Sequence, residues 1–286
     1  MYLAARAPRA STPFLFAPPL ERRSAATARR WSKALDGDDR AMSSPIVSSD
    51  DVFTALGALA IAESSVRFAY AWVAFGYVAP SALAIAARID TTDAAALDEG
   101  AKTLSLILLS LESAKAAVAV DAIERAGVSA AFQLDVRGLS RGAAYGACAA
   151  VLARVIDRAL VGVSESGASS AGAASFIASG DVAATAATAL ASCAVAPYLE
   201  ELFFRHFLLR TLQAKTQSRV LAIAISSALF AAAHFSAKDF PSLFACGVVF
   251  AASASAPSNY AVSTVAHATY NASVLLESIY THSSRA

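Results

Sequence analysis

In the apolar segments between Val182 and Leu276, side chains able to do chemistry fall in three places. The first is Glu200-Glu201-Leu-Phe-Phe-Arg205-His206, read as the start of a helix just after Pro197; the second is Phe230-Ala-Ala-Ala-His234; the third is His267-Ala-Thr-Tyr-Asn271. Ionisable groups inside membrane helices are costly and need a reason. On a helix Glu201 and Arg205 share a face and can pair. Glu200 points about 100° away from Glu201 and is left to face something else. His267 and Asn271 project together, and the Phe230 ring can wall one side of the His234 imidazole. A carboxylate beside an imidazole is a general base for activating water. The donors of His267 and Asn271 suit an oxyanion. If the helices bundle, Glu200, His234, His267 and Asn271 converge in one polar pocket and hold the parts of a peptide-bond hydrolase. Glu200, His234 and His267 also make a zinc set, Zn2+ taking water in its fourth position. The spacing is not HExxH, so the metal reading rests on convergence across helices. His206 and His282 read as peripheral.

The elements that must position these groups follow from composition. The chain has 286 residues, 57% of them hydrophobic and 16% charged, with a mean hydropathy of +0.53. Soluble globular domains carry about 25% charged residues, so this is a polytopic all-α membrane bundle. Net charge is +1, which gives no electrostatic footprint for nucleic acid. Cys148, Cys193 and Cys246 are too few and too far apart for a disulfide scaffold; each reads as a small buried hydrophobe.

A spanning helix needs about 20 apolar residues. Phe68–Ala87 supplies one, kinked at Pro80, and Val52–Val66 precedes it with Glu63 inside. A polar loop at 88–102 leads to Leu104–Val120, where Glu112 and Lys115 are three residues apart and can pair. Gly142–Val163, Val182–Leu199 and Val220–Phe235 follow, with a Ser/Gly linker at 164–172 and a cationic loop holding Arg210, Lys215 and Arg219. That loop places its side of the protein toward the cytosol-equivalent compartment. Phe240–Leu276 contains no Asp, Glu, Lys or Arg and reads as two short helices broken near Pro257. The sum is seven or eight helices.

The first residues differ. Arg6, Arg9, Arg22, Arg23, Arg29, Arg30 and Lys33 stand against Glu21 alone, a net +6 that leaves −5 for residues 34–286. An Arg-rich, Ser-rich, acid-poor start has the composition of an organelle transit peptide. Residues 1–45 are therefore read as a disordered targeting segment. A plastid membrane is favoured over a mitochondrial or endoplasmic reticulum one. Residues 46–179 form the first group of membrane helices, and 180–280 the catalytic domain.

The order EExxxR, FxxxH, HxxxN on three successive apolar segments resembles the CPBP intramembrane proteases, which include the CAAX prenyl endopeptidases and the lysostaphin-resistance-type (Abi) proteins. All three motifs match without substitution over about residues 180–276. The resemblance implies a bundle of about eight helices around a pocket open to membrane and water. It implies that Glu200 and His234 activate a water, that His267 and Asn271 stabilise the oxyanion, and that Glu201 and Arg205 support the site. No cofactor is required where the glutamate mechanism operates without zinc. The partners implied are the lipid bilayer and a membrane-associated protein substrate. An organelle address argues against a prenylated substrate trimmed at the endoplasmic reticulum. Two other classes of function use the same residues: a membrane scaffold with a vestigial site, and a proton-coupled transporter. Transporters usually show internal duplication, and the sequence has none.

Overall fold

Helix is the form in which an apolar segment satisfies its own backbone in lipid, and helix is what the sequence forms. The computed structural model describes residues 56–89, 94–160, 176, 179–254 and 260–283, all within the unit Val47–Ala286. The targeting segment read at 1–45 and the linker at 164–172 lie outside these residues. Among the described residues there are seven helices and no strand. They are α1 (Ala58–Ala86), α2 (Ala94–Arg125), α3 (Val136–Leu160), α4 (Val182–Thr216), α5 (Arg219–Ala232), α6 (Phe240–Ser253) and α7 (Tyr260–Ser283). Helices α1, α3 and α4 are long and apolar enough to cross a membrane, and α5 and α6 are shorter apolar helices. Helix α6 ends at Ser253 and α7 begins at Tyr260 and runs on to Ser283; the break expected near Pro257 lies outside the described residues.

One expectation built on proline is corrected. Pro197 looked like the first residue of a helix, which would put Glu200 and Glu201 at its start. Instead they lie in the middle of the 35-residue α4. Pro80 sits inside α1 as the sequence predicts, whereas residues 58–66, expected as a separate segment, belong to the same helix as Phe68–Ala86. In both helices a π-helical segment comes just before the proline: Ala74–Val78 before Pro80, and Ala191–Val195 before Pro197. Wider π turns absorb the missing N–H and the ring clash that would otherwise end the helix. A second π segment, Leu202–Leu209, carries Arg205 and His206. Arg210 and Lys215 are therefore not in a loop but in the last turns of α4. The chain turns only at Gln217 and Ser218, Gln217 taking a left-handed φ of 55°. The polar stretch after α1 is shortened in the same way, because α2 begins at Ala94.

Helix α4 is the centre of the bundle. Every residue from Leu199 to Leu209 is buried, and α2 and α7 pack against this stretch. Phe68 and Trp72 of α1, Ile123 of α2, Phe203, Phe204 and Phe207 of α4, Phe230 of α5 and Phe250 of α6 close the core. Of the cysteines, only Cys246 is buried; Cys193 is half-buried and Cys148 lies exposed on α3.

Helices α3 and α7 approach most closely where α3 has no side chains. A Cβ at Gly142 would stand 2.6 Å from Val265 Cβ, and one at Gly146 would stand 2.6 Å from Thr269 Cβ while colliding with the Ala266 carbonyl. Small residues four apart allow such backbone contact between membrane helices. This contact fixes the stretch of α7 that carries His267. Gly146→Ala is expected to destabilise the bundle by about 1–3 kcal/mol, read as a lower Tm in detergent. Ala147→Val, on the exposed flank of α3, is expected to leave Tm unchanged.

Candidate active site

Glu200 and Glu201 sit side by side on α4, 6% and 0% exposed. Buried carboxylates demand partners, and Glu201 finds two. Glu201 Oε2 lies 3.3 Å from Arg205 Nε, one turn along the same helix. Its Oε1 accepts from His267 Nδ1 at 3.1 Å. The carboxylate thus ties α4 to α7. Arg205 is 1% exposed; its Nη2 donates to the Gly247 carbonyl of α6 at 3.1 Å. Its guanidinium lies 4.4 Å from the centre of the Phe230 ring of α5. One ion pair therefore bonds or packs against α4, α5, α6 and α7 together.

Glu200 is differently placed. Its Oε2 stands 4.0 Å from His267 Nε2, beyond hydrogen-bond distance. That oxygen is buried without a hydrogen-bond partner among the described residues. His267 itself is clamped: its ring stacks on Phe250 at 4.7 Å, and the Phe230 ring meets it edge-on at 5.6 Å. With Nδ1 donating to Glu201, Nε2 is the atom presented to Glu200.

His234 follows the end of α5. Its Nδ1 donates to the Phe230 carbonyl at 2.8 Å. A carbonyl can only accept, so the neutral ring carries its lone pair on Nε2. The Phe230 ring packs against His234 at 5.0 Å as it does against His267, so both imidazoles flank one phenyl ring. Trp72 of α1 covers His234 from another side, ring centres 6.2 Å apart. No hydrogen bond joins His234 to Glu200 among the described residues.

Asn271, one turn beyond His267, donates from Nδ2 to the Ser192 carbonyl of α4 at 2.7 Å. Ser192 belongs to the π segment before Pro197. Similarly Ser226 Oγ of α5 donates to the Phe204 carbonyl in the second π segment at 2.8 Å. The loosened ladder of a π segment supplies carbonyls that side chains of neighbouring helices fill. The amide of Asn271 has a second N–H.

Residues 182–273 match the family model described as type II CAAX prenyl endopeptidase Rce1-like. This segment is similar to the type II CAAX prenyl endopeptidases. The Rce1-like segment begins at the first residue of α4 and ends in α7, so it contains Glu200, Glu201, Arg205, Phe230, His234, His267 and Asn271. It covers about a third of the chain and leaves α1, α2 and α3 outside. No curated protein and no solved structure matches the chain.

Within the Rce1-like segment the structure gathers Glu200, Glu201, Arg205, Phe230 and His267 into one contact network. His234 joins it through Phe230, and Asn271 reaches the α4 backbone beside it. The zinc set Glu200, His234 and His267 does not come together as ligands: among the described residues no three His, Cys, Asp or Glu side chains are placed to hold one metal ion. His206, expected to be peripheral, is 8% exposed. Its Nε2 hydrogen-bonds the Ser129 carbonyl at 2.7 Å and its ring lies on Tyr260 at 4.8 Å, so it braces the loop before α3. Nothing in the local spacing around His206 points to Ser129, 77 residues away. The polar groups that sequence spacing missed are Trp72 and the Ser192 carbonyl, since neither stands in a motif. At the turn after α5, Ala231, Ala232, Phe235, Phe240 and Pro241 line an open surface depression of about 430 Å³.

Proposed function

We propose that the chain is an intramembrane endopeptidase that hydrolyses a peptide bond of a membrane-associated protein. The observation that carries this reading is the buried Glu200 carboxylate, with an unpartnered Oε2 facing His267 Nε2 at 4.0 Å. A single water oxygen within hydrogen-bond distance of both atoms fits that separation. Glu200, with His234 as the second base, takes a proton from this water as its oxygen bonds to the scissile carbonyl carbon. The carbonyl oxygen becomes an oxyanion, received by the Nε2–H of His267, whose ring carries a proton on each nitrogen for this step while Nδ1 holds Glu201, and by the second N–H of Asn271. Collapse of this intermediate breaks the C–N bond, and the proton held by Glu200 passes to the leaving amine nitrogen. Glu201 and Arg205 hold His267 in place for this step. The Arg-rich composition of the first 45 residues supports an organelle membrane, a plastid one favoured, as the place where it acts.

Quenched-fluorescent peptides presented with the purified protein in nanodiscs test the reading, with isoprenylated and unmodified carboxyl termini compared. Cleavage of either supports it, and the preferred one names the substrate class. Absence of cleavage across both sets, with folded protein, overturns it. Asn271→Ala is expected to lower kcat by about 10²–10³-fold, the usual effect of losing one oxyanion donor, with KM little changed.

A further inference from the structure

A second buried ion pair lies in the half of the bundle that the family match does not cover. Lys115 of α2 is 4% exposed, and its Nζ is 2.7 Å from Glu112 Oε1. An ammonium in a membrane helix is costly unless paired. Here Glu112 neutralises it and an aromatic face receives it: Nζ stands 4.3 Å from the centre of the Trp72 ring of α1. A Cβ added at Gly76, in the π segment of α1, would also touch this Nζ, at 3.7 Å. Trp72 then reaches the catalytic helices. Its Nε1 donates to the Ala233 carbonyl at 2.7 Å, and the Tyr77 hydroxyl donates to the same oxygen at 3.2 Å. Ala233 follows the last residue of α5, where carbonyls have no partner within the helix, and His234 is the next residue.

We propose that Lys115 is a positioning residue for His234, acting through Trp72, which it holds by a cation–π contact. Glu112 keeps the ammonium in place, and the indole N–H fixes the end of α5 from which His234 projects. The proposal rests on the endopeptidase reading, and it gives the helices outside the matched segment a part in the reaction. It is specific to the ammonium over the ring and not to the presence of an ion pair on α2. Asp121 and Arg125 form such a pair on the same helix, 2.7 Å apart and exposed.

The test has two arms. In the first, Lys115→Met is expected to lower kcat about 10–100-fold with KM within about twofold, as a cation–π contact at a desolvated site contributes on the order of 2 kcal/mol. Lys115→Arg, which preserves the cation, is expected to retain most of kcat, and Arg125→Gln to change nothing. Because Lys115→Met leaves the half-buried Glu112 unpaired, the double variant Glu112→Gln with Lys115→Met removes both charges and is expected to lose kcat by a similar factor. Wild-type kcat in that double variant overturns the proposal. The second arm does not depend on cleavage. Trp31 and Trp72 are the two tryptophans, so Trp31→Phe leaves Trp72 as the reporter. Loss of Lys115 is expected to raise acrylamide quenching of Trp72 at least about twofold, and Lys115→Arg to leave it unchanged. Unchanged quenching in Lys115→Met overturns the positioning link. If the wild-type protein cleaves nothing, the endopeptidase reading fails alone and the quenching arm still decides this one.

Discussion

Glu200→Gln is expected to lower kcat/KM by about 10²–10⁴-fold, the range that a general base contributes. Almost all of the loss is expected in kcat, because Gln preserves the shape of the side chain and only removes the ability to take a proton. The substitution is expected to leave Tm unchanged or raise it. Glu200 is 6% exposed and its Oε2 has no hydrogen-bond partner among the described residues. A neutral amide in that position relieves the cost of burying a carboxylate. Loss of activity together with retained or increased stability is the mark of a group held for chemistry. Comparison of Tm and kcat/KM for the purified variant in one detergent checks both halves. A scaffold that uses the same pocket for binding would cleave nothing either before or after the substitution.

Glu201→Leu gives the opposite pattern. Glu201 and Arg205 are 0% and 1% exposed, and removing the carboxylate leaves a guanidinium buried beside Phe230 with only the Gly247 carbonyl to bond. Breaking a buried pair in this way costs about 3–5 kcal/mol, read as a large fall in Tm. Adding Arg205→Met replaces the second charge with an apolar chain of similar length and is expected to recover most of that stability. Activity is not expected to return in the double variant, because His267 Nδ1 has lost its acceptor and the ring its orientation. The two readouts thus separate the architectural work of the pair from its work on His267.

The helical character and the local pairs were legible from spacing alone. Glu201–Arg205, Glu112–Lys115 and Phe230–His234 are all contacts that a helix of 3.6 residues per turn brings onto one face, and the structure holds each of them. Contacts between helices were not legible in this way. Periodicity states which residues share a face; it does not state that Glu201 meets His267, 66 residues on, or that Trp72 meets Ala233. The resemblance over three motifs narrowed that choice for α4, α5 and α7 and was silent for α1 and α2. The place of Glu200 and Glu201 along α4 was missed because Pro197 reads as a helix start by its behaviour in ordinary α-helices. Pro80 and Pro197 are tolerated because a π segment precedes each, and nothing in the residue types of Ala74–Val78 or Ala191–Val195 announces one. The charges of Arg210 and Lys215 suggest a loop, yet both ride on the last turns of α4.

The central claim is that Glu200 delivers a water to a peptide carbonyl, and the origin of the new carboxylate oxygen measures this directly. Cleavage of a membrane peptide by the purified protein in ¹⁸O-labelled water, followed by mass spectrometry of the amino-terminal product, is predicted to show one ¹⁸O in the new carboxyl group. The same product is predicted to be absent, or formed at the level of the buffer, with Glu200→Gln. A labelled product formed equally fast by Glu200→Gln would contradict the account.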